Sequence, residues 1–485
     1  MTKSVGRSMA SGGVLSLARL LTGFVRVKVV ALALGVSGVG VYALMVQLYL
    51  TGVAVASMSL AVPIINLGRK PVVAGDYGEA GSIAGTALAI VLLNCLALTA
   101  LAAAFGPALL GHLGIGAQAA GLLLPLAIAV LFGALSGAFW EGLSYLSDRF
   151  DAYVRVGIVA AVAEMIFIAA GAWAFGLRGA ILAMPLGPAA MFVTYALILG
   201  RDPTTRRVLS HLSVRLARLS PLLTYSAMMF AAVALTNVGL TLLRSRVLIE
   251  AGAAANGYLQ TVTSLAAYVL AFVMTGFWGH MHARAAAGGD TEAVRSELDG
   301  ALRLGLLIAF TGCGTAAVLG DFLIPLFYSG EFLPAAQLLT AYMPGELCFQ
   351  LLSMLIAYQL TVSLRRAYLA LSLGYIILLV VNGVALIPRM GAFGYVVAHN
   401  LAAFAMLAIG VAFAWRRGQL SRGFLSLAAL LILALATVAA AVFMLRAGGA
   451  SAWALLPALI PFTISGGLVL ARLLRELRPR PSPQS

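Results

Sequence analysis

The chain has 485 residues, of which 62% are hydrophobic and only 10% charged, with a formal net charge of +15. A soluble domain is roughly half apolar and about a quarter charged, so an ordinary soluble enzyme, a disordered chain and a secreted disulfide scaffold are excluded. The 52 glycines follow no triplet repeat, which excludes collagen. What remains is an all-α integral membrane protein, because long Leu/Ala/Val/Ile runs indicate helices rather than the short alternating segments of a barrel.

Apolar runs between charged or Gly/Pro-rich breaks predict fourteen spans in chain order. Their approximate ranges are 9–34, 40–66, 82–110, 117–140, 154–175, 179–200 and 220–246, then 256–279, 301–327, 334–362, 367–388, 392–414, 423–445 and 452–473. No cleavable signal peptide is expected, since the apolar run after Arg7 is long enough to span. With the N-terminus placed in the cytoplasm, 23 of the 31 Lys and Arg residues fall on that side, and only Arg178, Arg389 and Arg446 on the other. The positive-inside rule then places both termini in the cytoplasm. It also accounts for most of the basic excess without nucleic acid. Five basic residues remain: Arg19, Arg26 and Lys28 in the first span, and Arg244 and Arg246 at the outer end of the seventh.

An internal repeat organises the chain. Gly75-Asp76 and Glu79-Ala80 reappear as Gly289-Asp290 and Glu292-Ala293. Phe175-Gly176 to Gly179 reappears as Met390-Gly391 to Gly394. Arg26, Lys28, Gly35 and Tyr42 reappear as Arg244, Arg246, Gly252 and Tyr258, all at offsets of 214 to 218. The repeating unit is six spans, an even number, so the halves share one orientation. They are expected to be related by a pseudo-two-fold along the membrane normal, with a binding site between them. The expected organisation is a lobe at 1–200, a linker at 201–219, a second lobe at 220–417, and two extra spans with a basic tail at 418–485.

The three cysteines, Cys95, Cys313 and Cys348, lie inside apolar runs and read as small buried hydrophobes. There is no Cys-x-x-Cys pair, no His/Cys cluster and no Walker A loop. Neither a metal nor a cofactor is therefore expected, and ATP is not the direct energy source. No large hydrophilic loop carries the acids or histidines that an integral-membrane glycosyltransferase or polymerase would need.

Certain segments resemble a known group. Leu17-Ala-Arg19-Leu-Leu-Thr-Gly23-Phe-Val-Arg26, with Leu34-Gly35 and Gly38-Val-Gly40-Val-Tyr42, resembles the start of polysaccharide-lipid transporters. Leu323 to Ala336 and Leu386 to Gly394 resemble two of their later helix connections. Together these resemble the multidrug/oligosaccharidyl-lipid/polysaccharide exporter superfamily, and within it the Wzx-type flippases of O-antigen and enterobacterial common antigen. The resemblance implies two six-helix lobes and alternating access. Its implied cargo is an undecaprenyl-pyrophosphate oligosaccharide, moved to the periplasmic leaflet of the bacterial inner membrane for lipopolysaccharide synthesis. The first span also partly resembles the lipid II flippase MurJ, although Val27 and Lys28 stand where an acidic residue follows the arginine in that family.

An arginine at mid-span costs about 2.5–3.5 kcal/mol on insertion scales and usually faces a cavity or a partner. Arg19 and Arg26 are seven residues apart and share one helix face. A pyrophosphate carries about two negative charges and accepts arginine forks well. Arg19, Arg26, Lys28, Arg244 and Arg246 are therefore candidate cargo-binding residues. The plainer alternatives are snorkelling for Lys28, Arg244 and Arg246, and a structural pairing of Arg19 with Glu164. A positive cavity would disfavour cationic drugs as cargo. Glu164 in the fifth span and Glu346, beside the Pro344-Gly345 break in the tenth, are the mid-depth acids. Either could couple transport to an H+ or Na+ gradient; both could equally be locally satisfied. His399 and Asn400 read as packing residues, and Gln47, Asn237 and Gln260 as sugar contacts or interhelical hydrogen bonds.

The charge asymmetry gives a direct test of topology. Reporters fused at Thr204 and Arg417 should behave as cytoplasmic, and those at Gly114 and Gly449 as periplasmic. A cytoplasmic signal at Gly114 would invert the topology.

Overall fold

A backbone amide in hydrocarbon has no water to bond, so a spanning segment must satisfy its own hydrogen bonds as a helix. The computed structural model describes the backbone of residues 2–115, 121–288, 292–361 and 364–477. It describes side chains over 14–115, 121–271, 298–360 and 364–469, together with residues 274 and 471. Among these, the regular elements are helical and no strand occurs. Eleven helical stretches are long and apolar enough to cross a membrane.

Two of the eleven are too long for one crossing. Val14–Val73 has 60 residues and Leu216–Ala271 has 56, whereas about 20 suffice. Each is divided by a single glycine with positive φ: Gly35 (φ 62, ψ −177) and Gly252 (φ 86, ψ 172). A third stretch, Phe150–Ala183, turns at Phe175-Gly176, after which 177–183 and Leu186–Leu199 make the next span. All fourteen expected spans are thereby present. They are 2–34, 36–57 with Ala61–Val73, Tyr77–His112, Leu123–Leu146, 150–174, 177–199, 219–251, 253–288, Glu292–Phe327, Ala335–Thr361, Arg365–Met390, Ala392–Arg416, Arg422–Ala447 and 452–477, numbered 1 to 14 below. Span 2 differs from its expected course by breaking at Met58 and Ser59, both with positive φ. Asn94 of span 3 donates to the Ala56 carbonyl beside that break at 3.3 Å.

The duplication is written in backbone angles. Gly35 and Gly252 are 217 residues apart and both extend with positive φ. Gly176 (φ 60, ψ −143) and Gly391 (φ 56, ψ −136) are 215 apart and nearly superpose in conformation. Around these turns, Gly179 packs on the Gly171 carbonyl and Gly394 on the Leu386 carbonyl, again 215 apart. Gly289-Asp290, the repeat partner of Gly75-Asp76, lies outside the described residues.

Two compact units emerge. One contains Met1–Gln260 with Phe327–Ser329, and the other Thr261–Leu326 with Gly330–Ser485. The first unit runs past residue 219 because spans 2, 7 and 8 meet inside it. A Cβ on Gly40 would strike the Ala253 carbonyl, and one on Gly257 would strike that of Val36. Asn256 donates to the Gly40 carbonyl at 2.7 Å, Gln47 to Asn237 Oδ1 at 3.2 Å, and Thr51 and Thr241 share a bond of 2.7 Å. Gln47 and Asn237 thus form an interhelical hydrogen bond. The polar stretch 201–219 is docked on the same unit. Asp202 caps Pro203–Ser210 and accepts from Arg149. Arg215 donates its amide to Thr86 at 3.1 Å, and Arg218 pairs with Glu79 at 2.6 Å.

In the second unit, the two extra spans pack against spans 9 and 10. Arg446, expected as a loop cation, has a side chain only 8% exposed. It pairs with Asp321 at 2.9 Å and donates to Thr340 and to the carbonyls of Ala317, Val318 and Ala336. At the other end of span 13, Ser421 bonds Asp299 at 2.7 Å and accepts from Arg303. Phe462 of span 14 packs on Phe310 at 4.9 Å and covers Gly314. Residues 478–485 of the expected basic tail lie outside the described residues.

The glycine turns predict matched sensitivities. Gly176→Ala and Gly391→Ala place a Cβ in a glycine-only conformation, and each should cost about 1–3 kcal/mol. Gly467→Ala, where a Cβ meets open space, should be neutral or stabilising by up to about 1 kcal/mol. Thermal unfolding in detergent compares the three.

Candidate functional site

Spans 1 and 5 place their charged side chains in matched steps. Arg19 and Arg26 are seven residues apart on span 1, as are Gly157 and Glu164 on span 5, so two turns return each pair to one face. Both arginines line a cavity of about 340 Å³, together with Thr22, Gly157 and Glu164. Small residues on span 5 open this space: a Cβ at Gly157 would lie 3.3 Å from the Arg19 guanidinium and closer still to Leu15.

The pairing differs from the alternative weighed from sequence. Glu164 binds Arg26 rather than Arg19, because it lies two turns beyond Gly157, level with Arg26. The Arg19 guanidinium instead lies over the Tyr153 ring, 6.0 Å from its centroid. Two guanidiniums and one carboxylate on the lining leave the cavity positive. The side chains of Arg26 and Glu164 are 29% and 43% exposed, so this pair is reachable by solvent or an anion. Lys28, Arg244 and Arg246 are half-buried and lie outside the lining of this cavity. Arg246 pairs with Glu250 one turn along at 3.4 Å. A partly exposed pair of this kind contributes only a few tenths of a kcal/mol, on the order of 0.3–0.5.

Glu346 belongs to a different cluster, in the second unit. Pro344 removes a backbone donor from span 10, and Gly345 lets the backbone of span 12 approach: a Cβ there would strike Asn400. Asn400 in turn donates to the Ala341 carbonyl at 2.8 Å. This contact brings His399 beside Glu346, with Nε2 3.6 Å from the carboxylate. Both are buried, 1% and 3% exposed. Gln350 donates to Glu346 at 3.2 Å, and the Tyr342 hydroxyl also bonds it. On the far side of the imidazole, Nδ1 meets the Tyr375 hydroxyl at 2.8 Å. The Tyr342 ring stacks on the imidazole at 4.1 Å.

Sequence reasoning took His399 as packing and passed over Tyr342, Gln350 and Tyr375. Tyr342 and Gln350 were available as the neighbours four residues either side of Glu346. Nothing local to Tyr375 marked it, since it reaches the cluster from span 11. The arrangement sets two proton-accepting groups, a carboxylate and an imidazole, side by side, with Tyr375 fixing the ring orientation. Glu164, by contrast, is committed to a guanidinium. No group of three or more His, Cys, Asp or Glu residues placed to hold a metal occurs among the described residues.

No known sequence family and no characterised protein matches the chain. Solved structures do. An inward-facing multidrug resistance MATE family transporter of the MOP superfamily aligns with a TM-score of 0.71 at 13% identity, covering 83% of this chain and 98% of that one. The lipid II flippase MurJ, in an inward closed conformation, aligns at 0.69 and 12%, covering 97% and 99%. A MOP superfamily transporter from Pyrococcus furiosus, described as having a binding pocket of reversed polarity, aligns at 0.63 and 14%, covering 86% and 95%. The chain has the fold of these transporters.

The ion pair is testable by a double-mutant cycle. Arg26→Met and Glu164→Met should each lower stability, and the double variant should lose less than their sum. For a half-exposed pair the coupling should be about 0.5–1 kcal/mol. Thermal unfolding of the four proteins measures it, and strict additivity would show that the two side chains do not interact.

Proposed function

We propose that the protein is a flippase that carries an undecaprenyl-pyrophosphate-linked oligosaccharide from the cytoplasmic to the periplasmic leaflet of a bacterial inner membrane. The observation that carries this reading is the positive cavity holding Arg19 and Arg26. A membrane-depth cavity with an excess guanidinium suits a pyrophosphate and repels a cationic drug. The fold shared with the lipid II flippase MurJ supports a lipid-linked cargo. In this reading the six-span lobes, 1–200 and 220–417, expose the site to the two leaflets in turn. Cargo entry draws Arg26 away from Glu164, so the ion pair is exchanged for a pyrophosphate contact rather than simply lost. The Glu346–His399 cluster takes up and releases H+ or Na+ as the states interchange.

A second reading, lipid II as the cargo, is favoured by one specific observation. The match to MurJ covers 97% of this chain, whereas the match to the first MATE transporter covers 83%.

Purified protein in vesicles, supplied with each lipid in turn and with or without an ion gradient, tests both readings. Arg26→Ala should lower cargo affinity by about 10- to 150-fold, equivalent to about 1.5–3 kcal/mol. Arg26→Lys should retain part of it, having charge without the fork. Glu346→Gln should bind cargo normally and lose its response to the gradient. Unchanged binding and flipping by well-expressed Arg26→Ala would overturn the anion-cavity reading. Faster flipping of lipid II than of oligosaccharide lipids would select the second cargo.

A further inference from the structure

Spans 11 and 12 leave a second cleft, at the end of the bundle where Arg365 opens span 11 and Arg416 closes span 12. It encloses about 610 Å³ and is lined by Arg365, Arg366, Ala370, Ile409, Phe413 and Arg417, among others. Helical spacing makes the lining. Ile409 and Phe413 lie one turn apart on span 12 with Arg417 just past its end, and Arg366 and Ala370 lie one turn apart on span 11. On both helices the arginines stand at the mouth and the apolar side chains lie deeper. The Arg417 guanidinium sits over the Phe413 ring at 5.0 Å, which holds the charge at the mouth. Deeper in, Ile409 is 53% exposed, an apolar wall left open to hydrocarbon. From Arg417 to Ile409 the wall runs eight residues, about 12 Å along the helix. That is the distance from a headgroup phosphate to the upper part of an acyl chain.

We propose that this cleft binds an anionic phospholipid, its phosphate held between Arg366 and Arg417 and an acyl chain laid along Phe413 and Ile409. The charge selects the headgroup: three arginines around one opening favour an anionic lipid over a zwitterionic one. The walls select a lipid over a soluble anion, because inorganic phosphate gains nothing from Ile409 or Phe413. The site is distinct from the Arg19 and Arg26 cavity, which lies in the other unit. It does not depend on the identity of the transported cargo.

Native mass spectrometry of the full-length protein in detergent tests the assignment. The probes are phosphatidylglycerol, cardiolipin, phosphatidylcholine, undecaprenyl pyrophosphate and inorganic pyrophosphate. The parent should retain phosphatidylglycerol and cardiolipin more than phosphatidylcholine, and should retain no inorganic pyrophosphate at this site. The double variant Arg366→Gln/Arg417→Gln should reduce retention of the anionic phospholipids about tenfold. Ala370→Trp keeps every charge and fills the apolar wall, and it should reduce retention similarly. Arg366→Lys/Arg417→Lys should keep most of it, which separates loss of charge from loss of fold. Retention unchanged in the Gln double variant, or equal for anionic and zwitterionic lipids, would overturn the proposal. So would displacement of the phospholipid by inorganic pyrophosphate, or a loss confined to undecaprenyl pyrophosphate.

Discussion

Everything in this protein follows from one constraint: within hydrocarbon, each backbone amide must find its partner on the same chain. Helices meet that demand, but every reversal between helices breaks it locally. At four reversals, Gly35, Gly176, Gly252 and Gly391, the chain turns on a glycine with positive φ. Elsewhere side chains supply the missing partner, as Asn94 does for Ala56 and Asn400 does for Ala341. Once the backbone is satisfied in this way, the few polar side chains left at membrane depth are free to define sites. Two of the groups they form are of opposite character: a guanidinium-rich cavity on spans 1 and 5, and a buried carboxylate–imidazole pair on spans 10 and 12.

Charge within the spans is handled by two different devices. Arg446 is neutralised by saturation: a carboxylate, a hydroxyl and three carbonyls surround it, and span 13 is fastened to the second unit as a result. Arg26 has a carboxylate partner but stays partly exposed beside an open cavity. The first arrangement spends its hydrogen-bonding capacity on the protein. The second keeps some of it available to a ligand.

How far the sequence could be read follows from the same distinction. The fourteen spans were legible because hydropathy is a property of contiguous residues, and the breaks at Gly35, Gly176, Gly252 and Gly391 fall in the gaps between the expected spans. The repeat was legible because its turns are fixed by glycines that no other residue can replace without strain. Arg19 and Arg26 were legible as neighbours because they share one helix. The partner of Glu164 was not, since it depends on the register between spans 1 and 5. Arg446 looked like a loop cation because its acceptors come from spans 9 and 10. The environment of His399 was hidden for the same reason: three helices meet there, and no local pattern announces it.

The exchange of contacts between Val36-Gly40 and Ala253-Gly257 bears on how such a chain arose. Each partner presents a small-residue surface to its counterpart, residue i against j and j against i, which is the signature of an isologous dimer contact. A six-span ancestor could have used that contact to pair with a second copy of itself. In a homodimer, however, every substitution appears twice. Within one chain the two copies are free to differ, and at the polar positions they do. With the 215-residue offset, the counterpart of Glu164 is Leu379, that of Glu346 is Leu131, and that of His399 is Met184. The first half carries the cavity lined by Arg19, Arg26 and Glu164 and the second the buried Glu346–His399 pair, an asymmetry that two identical subunits could never encode.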